Sequence, residues 1–383
     1  MAKFLRFLLV LLYGLLALLG LVVSLGWLFY AATGWGRWLA CAGLAATCLP
    51  AALYLYGTQS RQRRLWGRIS AALGGLFVAI LVGMLLTTPS GDAGTDSPLS
   101  QHFTSDTRFP RYTLSNIVPE TEQINLGFLT TPLIDELFTY DRAFRVRKST
   151  LAVYRDMDRD ADFRALGSAL GWTYADFLGL PYDAGQYYLY IPRNRPSGPL
   201  PAILFLHGSF GNFKTYTWVW SRLAEELGYV IIAPSFGFGD WSRPGGVAAA
   251  EKALAATQAF VDLDEDRLYL AGLSNGGLGV SLLGAAAPER FRGLIFISPV
   301  MVTDVVDAPA FQAAWGGRPV LILTGQDDER VPFAYVAERA RNLAQGGVAV
   351  TDISYPGEDH FLFFSRRQEV LQDISEWLQQ TQK

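Results

Sequence analysis

The sequence predicts an α/β protein with a doubly wound, mostly parallel sheet, preceded by three transmembrane helices. Residues 1–87 contain three long apolar runs. Residues 186–383 alternate short apolar runs with amphipathic segments, which is typical of a parallel sheet covered on both faces. Within that alternation, Gly-Leu-Ser-Asn-Gly at 272–276 follows a strand-like run and precedes a run of small residues. This arrangement indicates a strand, a sharp turn and a helix.

The three apolar runs are 4–30, 35–56 and 69–86. Arg6 is the only charge in the first, Arg37 is the only charge in the second, and the third has none. Each has about the ~20 residues that a helix needs to cross a bilayer. Buried core helices are the alternative, but such helices would need a polar face at the water boundary. A cleaved signal peptide is the alternative for the first run, which is too long and is followed by two more spans.

Basic residues predict the orientation of these spans. Lys3 and Arg6 precede or open the first span, and four arginines lie within 61–68, between the second and third spans. Residues 87–107 carry acidic residues and no lysine or arginine. Because cytoplasmic loops are enriched in basic residues, we expect a cytoplasmic amino terminus. The remainder of this cell-membrane protein is then expected on the outer, periplasmic side, with Arg37 as the one basic residue on the wrong side.

Four parts are expected along the chain. The three spans occupy 1–87, a flexible linker rich in Ser, Thr, Gly, Asp and Pro occupies 88–110, an extension occupies 111–185, and the catalytic domain occupies 186–383. The extension has helical patterns at 132–140, 143–158 and 163–170, and it is a possible cover for the site. The strands expected in the catalytic domain are 186–191, 202–206, 230–233, 267–271, 293–297, 320–323 and 350–354. The helices expected with them are 218–227, 247–261, 278–286, 334–345 and 366–380.

Composition excludes several functions. The net charge is -3, and no basic stripe with interleaved aromatic residues is present, so we expect no nucleic-acid partner. Both cysteines, Cys41 and Cys48, lie in the second span, which leaves none for a disulfide in the outer region. No ionisable residue lies in the middle of a span, which argues against transport. The basic cluster at 142–148 is a solvated face or, alternatively, a contact for anionic lipid.

Ser274, between Gly272 and Gly276, is the candidate nucleophile. The glycines let the chain turn sharply and let strand and helix pack closely, which leaves the serine exposed in a strained conformation. Other motifs follow in order: His-Gly-Ser at 207–209, Gly-Gln-Asp-Asp-Glu-Arg-Val-Pro at 325–332 and Gly-Glu-Asp-His-Phe at 357–361. From about residue 187 to the end, the chain therefore resembles the α/β-hydrolase family. The resemblance implies a serine nucleophile, an acid and a histidine in that chain order.

A base must accept the Ser274 proton, and His360 is the candidate because an imidazole accepts and returns protons near neutral pH. The other histidines lie in the linker (His102) and in the turn at 207–209. For the acid that orients the imidazole we choose Asp328, which resembles the family pattern Asp-x-x-Val-Pro. Asp327 is the alternative, although adjacent residues of an extended segment face opposite ways. Asp304 and Asp307 form a weaker third option.

Backbone amides are expected to bind the developing oxyanion. One is that of Asn275, and the other is that of Ser209 or, less favoured, Phe210. Only residues 299–317 separate the predicted strands 293–297 and 320–323, so we expect no large helical cap between them. Aromatic and apolar residues on loops at the catalytic end are candidate substrate-binding residues, chiefly Phe213, Trp218, Phe236, Trp241 and Met301.

The sequence therefore predicts a membrane-anchored serine hydrolase that cleaves a carboxylic ester through an acyl-enzyme. The expected partners are a small-molecule or lipid ester and membrane lipid, with no cofactor and no metal ion. One alternative is a serine peptidase related to the prolyl-oligopeptidase branch, and another is a non-catalytic membrane module on the same scaffold. The sequence indicates neither the natural substrate nor the oligomeric state.

Overall fold

The computed structural model describes residues 2–105, 107–182 and 185–381. Two compact units divide the chain. The first unit comprises Met1–Thr88 and Asn116–Gly127, and the second comprises Pro89–Ser115 and Phe128–Lys383.

The first unit contains three long helices, α1 (Ala2–Tyr30), α2 (Gly34–Thr58) and α3 (Arg63–Leu86), with a 3-10 turn at Ser60–Gln62. All three are long and apolar enough to cross a membrane. Many of their leucine, valine and phenylalanine side chains are exposed. Because water would penalise so much exposed apolar surface, the helices are compatible with anchoring in a bilayer.

The segment 116–127 belongs to this first unit and is fixed by a buried carboxylate. It includes the end of α4 (Leu114–Ile117) and most of α5 (Glu120–Thr130). Glu122 is fully buried and accepts hydrogen bonds from the amide and the hydroxyl of Thr33, at 2.6 and 2.7 Å, and from Trp27 Nε1 at 3.2 Å. These donors satisfy a carboxylate that would otherwise be costly to bury, and they fasten the segment to the α1–α2 connection.

The second unit is built on an eight-stranded sheet. The strands are β1 (Leu99–Phe103), β2 (Gln186–Tyr190), β3 (Leu200–Leu206), β4 (Val230–Pro234), β5 (Leu263–Leu273), β6 (Gly293–Ile297), β7 (Pro319–Gly325) and β8 (Ala349–Tyr355). Their order across the sheet is β1-β2-β4-β3-β5-β6-β7-β8. The pairs β1–β2 and β2–β4 are antiparallel, and the pairs from β4 to β8 are parallel. The predicted fold class, a doubly wound and mostly parallel sheet after three apolar helices, is confirmed.

The remaining helices are α6 (Tyr140–Met157), α7 (Ala161–Ala165), α8 (Leu170–Phe177), α9 (Lys214–Leu227), α10 (Gly246–Gln258), α11 (Gly276–Ala286), α12 (Thr303–Val306), α13 (Pro309–Ala314), α14 (Phe333–Gln345), α15 (Leu362–Ser365) and α16 (Arg367–Thr381). Two 3-10 turns lie at Thr131–Leu133 and Pro288–Arg290.

Helices cover both faces of the sheet because strand side chains alternate between faces. One buried cluster joins strands β2–β7 to α10, α11 and α14. On the other face, the ring of Phe205 in β3 lies 5.5 Å from Trp220 of α9, and the ring of Tyr269 in β5 lies 5.7 Å from Trp377 of α16. The sheet is thus the buried middle layer, and its strand ends carry the loops.

Two expectations about the region before the catalytic domain need correction. Within the predicted flexible linker, β1 pairs with β2, and Leu99 is buried. An edge strand pairs through its backbone, so a polar sequence does not prevent it. The predicted helix over 132–140 is also wrong, because a 3-10 turn ends at Leu133 and the next helix begins only at Tyr140. There Thr139 caps α6 by accepting a hydrogen bond from the Arg142 amide.

Strand order brings two turns together at the carboxyl edge of the sheet. After β3 the chain moves outward to β4 and then returns to β5, on the opposite side of β3. The β3–β5 register places Leu206 opposite Gly272. The turns that follow these two strands are therefore neighbours at the switch point, where open α/β sheets bind ligands.

Candidate active site

A strained turn presents Ser274 between β5 and α11. Its φ is 52°, a left-handed conformation that few residues other than glycine adopt, and its amide donates to the Ile297 carbonyl at 2.9 Å. A Cβ on Gly272 would lie 2.5 Å from the Gly276 backbone. A Cβ on Gly276 would lie 2.1 Å from the Leu206 carbonyl oxygen. Both glycines are therefore required sterically.

Three predicted residues meet at this turn. His360 Nε2 lies 2.9 Å from Ser274 Oγ, and His360 Nδ1 lies 2.7 Å from Asp328 Oδ2. The other Asp328 oxygen, Oδ1, accepts from the amides of Arg330 and Val331 at 2.9 and 2.8 Å. The carboxylate is thereby held still and accepts from Nδ1–H, which leaves Nε2 to accept the serine proton. All three side chains are buried.

The alternative acids lie elsewhere. Asp327, adjacent to the chosen residue, is exposed, as is Asp304. Asp307 forms an ion pair with Arg339 at 3.3 Å. Asp327 is exposed in the turn after β7, whereas Asp328 is buried and lies 2.7 Å from His360 Nδ1, so the geometry selects Asp328 as the partner of the imidazole.

The turn that carries two of the predicted oxyanion donors packs against the serine at Gly208. Gly208 packs so closely that a Cβ on it would lie 3.3 Å from Ser274 Cβ. Within 2–105, 107–182 and 185–381, the amides of Ser209, Phe210 and Asn275 have no hydrogen-bond acceptor. Phe210 has φ 71°, a strain of about 1–3 kcal/mol that often marks functional turns. The role of these amides, and the choice between Ser209 and Phe210, stay predictions.

His207 shapes the turn instead of titrating in the reaction. It is fully buried, its Nδ1–H donates to the Gly208 carbonyl at 2.7 Å, and its Nε2 accepts from the Phe236 amide at 3.0 Å. Trp241 Nε1 donates to the His207 carbonyl at 2.8 Å. Burial lowers the pKa of His207 from 6.5 to about 4. The neutral ring thus ties the turn after β3 to the loop after β4.

Four of the five predicted substrate-binding residues are buried. Phe236, Trp241 and Met301 belong to the buried core cluster. Trp218 is buried beneath the Arg222 guanidinium, and Phe213 stacks on Tyr216. Their role in substrate binding stays a prediction that this placement does not support.

An open cleft of about 730 Å³ is lined by other residues. Its lining consists of the segment 131–137 together with Phe177, Phe210 and Phe238, and does not include Ser274 or His360. Ile134 and Phe177 are 83% and 76% exposed. Sequence reasoning missed the segment 131–137 because its apolar residues fit a helical pattern, whereas the observed segment presents them to the cleft.

Comparisons with known proteins agree with the fold. Residues 203–316 match the alpha/beta hydrolase family, and residues 308–383 match the prolyl oligopeptidase family. The first match contains Ser274, and the second contains Asp328 and His360. Each match covers less than half of the chain, and both agree with the α/β-hydrolase fold that the sheet topology shows.

Similarity to individual proteins is more limited. The acylamino-acid-releasing enzyme of Sus scrofa is 25% identical over 238 residues, which cover 49% of this chain and 32% of that enzyme. This chain therefore corresponds to about a third of that relative, whose activity does not transfer by similarity alone.

Solved structures of similar fold include a thermostable esterase and the metagenomic carboxylesterase EstE1. The thermostable esterase has a TM-score of 0.43 at 23% identity, covering 51% of this chain and 58% of the esterase. EstE1 has a TM-score of 0.43 at 18% identity, covering 52% and 85%. Est1E from Butyrivibrio proteoclasticus, solved with ferulic acid, has a TM-score of 0.42 at 18% identity, covering 51% and 94%. Likenesses of this degree do not indicate an activity for this chain.

Proposed function

We propose that this chain is a membrane-anchored serine hydrolase that cleaves a carboxylic ester through an acyl-enzyme. The observation that carries the proposal is the chain of hydrogen bonds from Asp328 through His360 to Ser274, with distances of 2.7 and 2.9 Å. A serine hydroxyl is a weak nucleophile, and this arrangement supplies the base that activates it and the carboxylate that holds the base.

In the first half of the reaction, Ser274 Oγ attacks the ester carbonyl while its proton moves to His360 Nε2. The amides of Asn275 and of Ser209 or Phe210 stabilise the resulting oxyanion, at about 2.7–4 kcal/mol for a single donor. The intermediate then collapses, the C–O bond to the alcohol breaks, and the alcohol leaves with the proton from His360. Asp328 stabilises the imidazolium formed between these steps.

In the second half, water replaces the alcohol. His360 removes a proton from the water molecule as the water oxygen attacks the acyl carbon. The bond between the acyl carbon and Ser274 Oγ then breaks. The proton returns to Ser274, the acid product leaves, and the enzyme is regenerated. No cofactor or metal ion takes part in this proposed cycle.

Because Phe210 of the turn after β3 lies in the lining of the cleft, we infer that the cleft receives an uncharged, apolar group of the substrate. Its walls carry Leu133, Ile134, Phe177 and Phe210, whose partly exposed side chains lose contact with water when an apolar group binds. The charged side chains in its lining are Asp135, which is paired with Arg330, and Glu136, so the lining offers a carboxylate substrate no cation.

A peptidase is the second candidate function. The match of residues 308–383 to the prolyl oligopeptidase family includes both the acid and the histidine of the site. Similarity to an acylamino-acid-releasing enzyme supports the same candidate. An amide follows the same acyl-transfer chemistry, with an amine as the leaving group.

Labelling of the full-length chain in detergent with a fluorophosphonate probe tests the nucleophile. We expect wild-type labelling, and none in Ser274→Ala. Ser298→Ala is the matched control, because Ser298 is also buried, also has positive φ (42°) and lies at the end of the adjacent strand β6. Absence of wild-type labelling in folded protein would favour a non-catalytic module. Parallel assays with p-nitrophenyl esters and an N-acyl-aminoacyl p-nitroanilide then distinguish esterase from peptidase.

Anchoring and orientation belong to the same proposal. The three apolar helices are long enough to cross a bilayer, and the arginines within 61–68 favour the cytoplasmic side for the α2–α3 connection. The catalytic domain then lies on the outer side of the cell membrane.

A further inference from the structure

We propose that Arg142 is a positioning residue that holds the acid loop and the histidine loop of the site in mutual register. The proposal rests on the serine hydrolase function proposed above. It gives a role to α6, whose sequence carries no recognisable chemistry.

A single guanidinium spans the two loops. Arg142 is buried, with a side chain only 6% exposed, although it lies in a helix outside the catalytic domain predicted from the sequence. Its Nη1 donates to Glu329 Oε2 at 3.1 Å, and its Nε donates to Asp359 Oδ2 at 3.3 Å. Glu329 directly follows Asp328, and Asp359 directly precedes His360. One side chain therefore contacts the immediate neighbours of both residues that orient the proton transfer.

The contact with Asp359 extends across the catalytic histidine. Asp359 Oδ1 accepts the amide of Phe361 at 2.9 Å while Oδ2 accepts from Arg142. The carboxylate thus fixes the backbone on both sides of His360 and is itself held by the guanidinium. Because the imidazole must reach Asp328 and Ser274 simultaneously, a small rotation of this loop would lengthen one of the two bonds.

Two residues that precede α6, Asp135 and Phe138, also contact the acid loop and the histidine loop. Asp135 forms an ion pair with Arg330, two residues after the catalytic acid. The ring of Phe138 lies 5.6 Å from that of Phe361, beside the catalytic histidine. A backbone bond from the Asp327 amide to the Glu358 carbonyl, 2.9 Å, also joins the two loops directly. That bond joins the residue before Asp328 to Glu358, whereas Arg142 joins the residue after Asp328 to the residue before His360.

The two ion pairs are not equivalent. Glu329 is 72% exposed, so its attraction to the guanidinium is screened by water. Asp359 is 22% exposed, and its second oxygen is already committed to the backbone. The Arg142–Asp359 contact should therefore control the histidine more strongly than the Arg142–Glu329 contact controls the acid.

The test compares full-length variants in detergent with a p-nitrophenyl ester, each kcat being divided by the fraction of sites titrated with a fluorophosphonate. Arg142→Met should lower kcat by about 10–100-fold with KM within about twofold of wild type, because the substrate is still bound but the proton acceptor is displaced. Arg142→Lys should recover part of the rate, since a lysine supplies the charge without the two-pronged fork. Asp359→Asn should lower kcat more than Glu329→Gln.

Asp156→Asn is the matched control, because Asp156 ties the far end of α6 to Arg367 at 3.2 Å without contacting either catalytic loop. It should retain the wild-type kcat. In Arg142→Met/Asp359→Asn, the losses should be less than additive, since both changes break one contact. The inference is overturned if Arg142→Met keeps kcat within twofold of an active wild type, or if Asp156→Asn loses as much. A wild type that neither reacts with the probe nor turns over ester would instead refute the proposed function itself.

Discussion

A buried imidazole sets an acid limit to the stability of the catalytic domain. His207 Nδ1–H donates to the Gly208 carbonyl, and Nε2 accepts from the Phe236 amide at 3.0 Å. A proton added at Nε2 would point at an amide hydrogen inside a fully buried site. Burial accordingly lowers the pKa of His207 from 6.5 to about 4 in the folded protein.

The direction in which stability changes with pH follows from which state binds the proton more readily. The unfolded chain takes up the His207 proton near pH 6.5, whereas the folded protein resists it until about pH 4. The stabilising contribution is therefore complete above pH 6.5 and is lost progressively as the pH falls towards 4. The difference of about 2.5 pKa units, at 1.36 kcal/mol each, corresponds to about 3 kcal/mol. Such a loss is a large part of the roughly 5–15 kcal/mol that stabilises a typical domain.

Thermal unfolding of the full-length chain in detergent, measured between pH 6.5 and pH 4, tests this predicted loss of stability. His207→Gln lowers stability at every pH but cannot take up a proton, and its amide oxygen can accept the Phe236 N–H. The variant should therefore lose less stability on acidification than wild type. Burial also lowers the pKa of His102, but that group is the same in both proteins and cancels in the comparison. Equal pH slopes for the two proteins would refute the reasoning.

Two further predictions concern the acid and the membrane topology. Asp328→Asn should keep the fold, checked by circular dichroism, while kcat for a p-nitrophenyl ester falls about 10⁴-fold, because an amide stabilises neither the required tautomer nor the imidazolium; a loss below tenfold would contradict this role. Ser197→Cys adds a thiol at an exposed position of the catalytic domain, and Ser60→Cys adds one between α2 and α3. A membrane-impermeant maleimide should label the first variant in intact cells and the second only after lysis, and the reverse pattern would invert the proposed orientation.

Much of the architecture is encoded locally. The length and apolar character of three runs predict three long helices, and the structure has them at α1, α2 and α3. The elbow is predictable because only glycine fits at 272 and 276, where an added Cβ would lie 2.5 and 2.1 Å from backbone atoms. The preference for Asp328 over Asp327 rested on the family pattern Asp-x-x-Val-Pro and on the alternation expected of an extended segment. The segment is a turn and not extended, but the observed contact with His360 agrees with the choice.

Other features arise only from tertiary packing. Strand β1 has a polar sequence and forms through backbone pairing with β2, so its side chains carry no signal of it. The segment 131–137 has helical periodicity, but in the structure it lines a cleft together with Phe210 and Phe238 from the loops after β3 and β4. Arg142 contacts Glu329, which lies 187 positions further along the chain, and Asp359, which lies 217 positions further. Spacing and local pattern specify each element separately, whereas contacts over such separations exist only once the whole sheet and its loops have packed.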